Sequence, residues 1–129
     1  MTQQQLPDDL RRFILTSVPS VPYLEAILLL RTDAHRGWDA QQVASRLYLG
    51  PPRAAELLKA LADAGVGLWV NEPPGALRYH PANPELGAML DEVTRWYASD
   101  LVAVTDLIHS RTEKRAQQFA DAFRWKKGS

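Results

Sequence analysis

Apolar positions recur at helical spacing over most of the chain and switch once to strict alternation. After a polar start over residues 1 to 6, Pro7-Asp8-Asp9 opens a short helix with Leu10, Phe13 and Ile14 on one side. Pro19 and Pro22 bracket Ser20. Beyond them Leu24, Ile27, Leu28, Leu29 and Leu30 predict a strongly buried helix ending near Arg31 to Asp33. Gly37 interrupts the pattern, and Asp39 stands where a side-chain oxygen takes up free backbone N–H groups ahead of Val43, Ala44 and Leu47, so a second, short helix is expected. Tyr48-Leu49-Gly50-Pro51-Pro52 reads as a turn, because two prolines remove two donors, and the second proline suits the first turn of a third helix running to Gly65. Along that helix Ala54, Leu58, Leu61 and Gly65 share a face with Leu57 beside them, while Arg53, Glu56, Lys59 and Asp63 lie toward the other side.

After Gly65 the period becomes two, with Val66, Leu68 and Val70 on one side of a strand and Trp69 on the other. Asn71-Glu72-Pro73-Pro74-Gly75 supplies a turn, and Leu77 and Tyr79 before Pro81 form the return arm of a hairpin. Asn83 as cap and Pro84 at the first helical position then restart a helix. Its apolar positions Leu86, Leu90, Val93, Tyr97, Leu101, Val104 and Ile108 step by three or four without a breaker, so residues 84 to 110 read as one helix of about 40 Å at 1.5 Å per residue. A last helix, about Glu113 to Trp125, groups Ala116, Phe119, Ala120 and Phe123. A length of 129 residues suits one folded domain. Within it the pattern separates an N-terminal arm (1–19), a central segment (20–83) and C-terminal helices (84–129) for dimerisation or docking.

Helix, helix, turn, helix, hairpin, long helix is the order of a winged helix-turn-helix domain, and the expected fold class is mainly α with a two-stranded β wing and a C-terminal helical extension. The stretch GWDAQQVASRLYLGPPRAAELLKALADAGVGLWVNEPPGALRYHP resembles the MarR-like bacterial winged-helix regulators, through Ala40, Val43, Ala44, Leu47, Ala55, Leu58, Leu61, Gly65 and Val66. The resemblance implies a DNA-binding transcriptional regulator whose third helix enters a major groove and whose hairpin, Leu68 to Tyr79, lies against phosphates or a minor groove. Double-stranded DNA is then the implied partner, and Arg46, Arg53, Lys59 and Arg78 are the implied contact residues. The chain departs from that pattern in one way: between Gly50 and Gly65 there is no Ser, Thr, Asn or Gln. That leaves few side chains for reading base edges.

Charge is balanced, fifteen basic against fifteen acidic side chains, so no global field draws the chain to nucleic acid. Residues 20 to 65 carry five of each sign, whereas residues 84 to 112 are net minus three and 113 to 129 net plus three. Two readings fit that separation: the last helices pack antiparallel, within one chain or across a two-fold axis, or the basic tail touches DNA or a protein partner. The long seam exceeds what the preceding elements can cover, which points to a homodimer through Trp96, Tyr97, Leu101, Val104 and Ile108. Trp96 and Tyr97 fit ordinary core or interface filling or, by the resemblance, a pocket for an aromatic effector. Phe119, Phe123 and Trp125 form a docking stripe. A rival to the regulator is therefore a winged-helix adaptor that holds a protein through its third helix or tail and does not bind DNA directly.

Catalysis and cofactors are not expected. No Cys is present, the three histidines (His35, His80, His109) are far apart, and no Gly-rich phosphate loop or nucleophile motif occurs, so neither a metal nor a cofactor is implied. Asp91, Glu92, Asp100 and Asp106 fall on the solvated side of the seam helix. The longest apolar run, Ala26 to Leu30, is far short of the ~20 residues of a membrane span, and the expected location is cytoplasmic.

Overall fold

The computed structural model describes residues 6–70 and 75–110. In chain order the elements are α1 (Asp8–Ser17), α2 (Val21–Thr32), β1 (Gly37–Trp38), α3 (Ala40–Leu47), α4 (Pro51–Asp63), β2 (Gly67–Val70), β3 (Ala76–Tyr79), α5 (Pro84–Ser99) and α6, described over Leu101–Ser110. By internal packing they divide into two units. One is Pro22–Asp91; the other joins the described residues up to Val21 with those from Glu92 onward.

The Pro22–Asp91 unit takes its shape from the ends of its helices. A capping box opens α3: the Gln42 N–H donates to Asp39 Oδ1 (2.8 Å) and the Asp39 N–H donates to Gln42 Oε1 (3.0 Å). Two otherwise unmet donors are satisfied reciprocally, as expected for Asp39. The helix stops at Tyr48, which adopts a left-handed conformation (φ 56°) while the Leu49 N–H reaches back to the Ala44 carbonyl (3.0 Å). Gly50 is extended, and Pro51 and Pro52 occupy the first turn of α4, where their missing N–H groups cost nothing. The paired prolines thus separate two helices that pack on each other.

Three antiparallel strands follow the order β1-β3-β2. With α2, α3 and α4 they make a winged helix-turn-helix, in agreement with the expected fold. The sheet differs from the expected two-stranded wing by β1, which pairs Gly37 with Arg78 and Trp38 with Leu77. Gly37 reads as a breaker in the sequence, yet here its lack of a side chain admits the strand. A Cβ at this position would lie 2.7 Å from Val70 Cγ2 and 2.8 Å from Ala76 Cβ. The strand parity also differs from expectation. Trp69 lies opposite buried Leu77, and Leu68 opposite Arg78, so Trp69 shares the core side and Leu68 the outer side. Both are about half exposed, at 48% and 50%.

The interior of this unit is apolar: Tyr23, Leu24, Ala26, Ile27 and Leu30 of α2, Val43 and Ala44 of α3, Ala54, Leu57, Leu58 and Leu61 of α4, with Trp38, Val66, Leu77 and Leu90. In the second unit Leu6, Leu10, Ile14 and Val18 repeat every four residues and are buried, as are Val93, Val104 and Ile108. Asp8 and Asp9 occupy the first turn of α1, where the helix dipole favours acids.

The uninterrupted helix expected over residues 84 to 110 is broken at Asp100. Its N–H closes α5 on the Trp96 carbonyl (2.7 Å), while its carboxylate accepts the Ala103 N–H (3.1 Å) and so caps α6. An Asp inside a periodic apolar pattern looks like an exposed helical position; here its side chain competes for backbone donors and starts a new helix. Asn83 acts in the same way ahead of α5, accepting the Leu86 N–H at 2.8 Å. The last helix expected at Glu113 to Trp125 lies outside the described residues.

Replacing Asp100 by Ala should destabilise the chain by about 1 kcal/mol through loss of this cap, read as a lower urea midpoint at unchanged slope. An unchanged midpoint would mean that the carboxylate is not what starts α6.

Candidate nucleic-acid interface

In a helix-turn-helix the second helix presents its outer face, and here that helix is α4. Arg53, Glu56, Lys59, Ala60 and Asp63 are all exposed along it, opposite the buried Ala54, Leu58 and Leu61. At about 100° per residue, Glu56 and Asp63 fall between Lys59 on one flank and Arg53 on the other. The centre of the exposed arc is acidic and its edges basic. The helix start is also atypical, since Pro51 and Pro52 remove two of the N–H groups that would otherwise face an incoming phosphate.

The preceding helix and β1 supply different chemistry. Arg46, in the last turn of α3, is exposed, and its guanidinium carbon lies 5.5 Å from the centroid of the Trp38 ring. Arg36, just before β1, stacks on the same ring at 3.8 Å. Two cations within about 6 Å of one indole are each in cation–π range. Trp38 itself is 2% exposed, and its Nε1–H is buried with no hydrogen-bond partner. Gln41, Gln42 and Ser45 of α3 complete an open hollow of about 270 Å³ beside this group. Among the described residues neither Arg36 nor Arg46 has a carboxylate within ion-pair distance, and the same holds for Arg53 and Lys59.

The cations that do find carboxylates lie elsewhere. Arg31 of α2 donates through Nε (3.1 Å) and Nη2 (2.8 Å) to one oxygen of Asp91 on α5, and this hydrogen bond pushes the guanidinium pKa up. Arg95 pairs with Glu92 one turn away. Such exposed pairs contribute at most about 1 kcal/mol each. Next to the Arg31–Asp91 pair, Tyr79 of β3 has a buried hydroxyl; burial first, and the Asp91 charge second, raise its pKa, while the nearby Arg31 guanidinium opposes the rise.

Of the residues implied for DNA contact, Arg46, Arg53 and Lys59 are exposed on the helix-turn-helix, and Arg78 is half-buried in the middle of β3 beside exposed Leu68. In the seam, Trp96 and Tyr97 are half-buried, Val104 and Ile108 are fully buried within the single chain, and Leu101 (51%) and Val102 (63%) are exposed. Phe119, Phe123 and Trp125 lie outside the described residues. Sequence reasoning passed over Arg36, Trp38 and Tyr48. The only trace of the first two was a cation and an aromatic two apart around Gly37, too short for an alternating pattern. Among the described residues no group of three or more His, Asp or Glu could hold a metal ion, and no single helix is long and apolar enough to cross a membrane.

No protein-family profile and no curated protein sequence matches the chain. In structure it is similar to a MarR-family regulator. That protein, from Rhodococcus sp. RHA1, is described as a transcriptional regulator; 86% of this chain and 82% of that one are covered at 16% sequence identity, with a TM-score of 0.48.

Tyr48 links local geometry to this surface. Its side chain is 94% exposed and buries almost nothing, yet its backbone holds a left-handed conformation that suits glycine. Tyr48→Gly should therefore stabilise the fold by about 0.5–1 kcal/mol, because relief of the left-handed penalty exceeds the extra chain entropy of glycine. A urea midpoint that falls instead would show that the turn carries no strain.

Proposed function

We propose that the chain is a DNA-binding transcriptional regulator that acts as a dimer and meets duplex DNA with α4 and the cations around α3. The observation that carries this reading is the distribution of unpaired charge. Arg36, Arg46, Arg53 and Lys59 all lie on or beside the helix-turn-helix without a carboxylate partner among the described residues; Arg78 on β3 and, in the other unit, Arg11 and Arg12 on α1 also lack one, whereas Arg31 and Arg95 are paired. Flanking cations on an exposed helix suit phosphates on either side of a groove, since backbone contacts position a protein while base contacts specify sequence. Glu56 and Asp63, central on α4, can accept from the amino group of cytosine, so the helix retains a narrow means of direct readout. Arg78 on β3 would meet the backbone from the wing.

One observation favours a second reading, a protein-binding adaptor. The acidic centre of α4 and the two prolines at its start weaken phosphate binding there and suit a basic protein surface instead. Gel retardation of a random duplex at low salt separates the two. For the regulator, the chain retards the duplex, log affinity falls linearly with log salt, and Arg53→Glu and Lys59→Glu each reduce that slope by roughly one or more. No retardation by the parent chain at low salt would sink the regulator and leave the adaptor.

The reading puts the dimer contact on α6, because Leu101 and Val102 are exposed apolar side chains there. Sedimentation should give a dimer for the parent chain and a monomer for Leu101→Asp, because a carboxylate at an apolar interface is desolvated without a partner. A monomer for both would remove this part of the proposal.

A further inference from the structure

The hollow beside Trp38 is assembled from parts that suit one kind of ligand. Its walls are Arg36, Trp38, Gln41, Gln42, Ser45 and Arg46, all within the Pro22–Asp91 unit. Two guanidiniums approach one ring, at 3.8 and 5.5 Å, with no carboxylate paired to either among the described residues. Two guanidiniums brought together without an ion-pair partner repel each other, and an anion seated between them relieves that repulsion. The nearby carboxylate of Asp39 is already engaged as the acceptor that caps α3.

The neutral groups agree with this. Gln41 and Ser45 are one turn apart on α3 and project from one face, offering an amide and a hydroxyl donor. Gln42 uses its Oε1 to accept the Asp39 N–H, which leaves its NH₂ group as a donor. Trp38 contributes a fixed wall; its indole N–H is buried and is not itself a donor to a ligand in the hollow. Guanidiniums present paired donors that match the oxygens of a phosphate or carboxylate, and phosphate takes donors from several directions at once. Size narrows the choice further. At about 270 Å³ and open to solvent, the hollow has room for a small oxyanionic group.

We propose that Arg36, Arg46, Gln41, Gln42 and Ser45, gathered around Trp38, form a phosphate-binding site. The phosphate comes from a nucleic-acid backbone or from a small free phosphate compound. The site stands on its own residues and does not require α4 to bind DNA.

Trp38 is the built-in reporter. The ¹⁵N-labelled full chain is titrated with pyrophosphate, and separately with a random duplex, while the indole cross-peak of Trp38, assigned by its loss in Trp38→Phe, is followed. Pyrophosphate should move this cross-peak saturably, and Arg36→Gln and Arg46→Gln should each weaken the response by about tenfold, as expected for loss of a charge-assisted hydrogen bond. Both arginines are exposed, so the variants should retain the far-UV circular dichroism of the parent. Lys59→Gln, on α4, should leave the pyrophosphate response unchanged. A duplex that moves the same cross-peak, with weaker retardation by Arg46→Gln, assigns the phosphate to the backbone; a response to pyrophosphate with none to duplex assigns it to a small compound. The proposal is overturned by a cross-peak that neither probe moves, by a shift reproduced with sodium chloride at equal ionic strength, or by a response undiminished in Arg36→Gln and Arg46→Gln.

Discussion

At Gly65 the chain turns left-handed (φ 80°), and most of the winged domain depends on that single conformation. The Val66 N–H bonds the Leu61 carbonyl (2.9 Å) and the Gly65 N–H bonds that of Ala62 (3.1 Å), which ends α4 while two buried side chains, Leu61 and Val66, meet the core. The carbonyls at the same corner then accept from the returning chain, Val66 from the His80 N–H at 2.9 Å and Gly65 from the Ala82 N–H at 2.8 Å. One corner therefore ends the exposed helix, launches β2 and anchors the exit of β3. A side chain at Gly65 would combine an unfavourable φ with a Cβ placed 3.0 Å from that of Ala82.

What could be read from the sequence followed from local chemistry with one dominant outcome. Asp39 before an apolar triplet, paired prolines after Gly50 and Asn83-Pro84 each satisfy helix ends in a single way, and the structure uses all three as expected. The misreadings came where two outcomes compete. Asp100 fits an exposed helical position as well as a cap, and only the backbone donors it captures decide between them. The parity of β2 is set by its partner: Val66, Leu68 and Val70 look like an inward set, but pairing with β3 puts Trp69 beside Leu77. A two-residue strand such as β1 has no period to detect and exists because β3 offers it an edge. The candidate site divides in the same way. Arg46, Arg53 and Lys59 were legible as exposed cations on short helices, whereas the stacking of Arg36 on Trp38 depends on β1 and was not.

The two helices of the helix-turn-helix carry unequal electrostatic roles. On α4 the acids are interleaved with the cations, so the field close to its surface alternates in sign and largely cancels beyond about one Debye length, ~8–10 Å. Around α3 and β1 the cations stand together without acids paired to them. A phosphate approaching this face meets interleaved charges over α4 and two neighbouring guanidiniums beside Trp38.

A net charge of zero consequently says little about what this chain can hold. Among the described residues the cations form two groups: those held by a carboxylate, Arg31 on Asp91 and Arg95 on Glu92, and those without one, Arg36, Arg46, Arg53, Lys59 and Arg78 in the Pro22–Asp91 unit and Arg11 and Arg12 on α1. Pairing in the first group requires acids on neighbouring turns or on a helix brought near by folding, and α5 supplies both Asp91 and Glu92. In the second group the nearest capping acid, Asp39, accepts a backbone donor and forms no ion pair among the described residues. Among the described residues, folding thus pairs some cations and leaves others open, several of them around the helix-turn-helix.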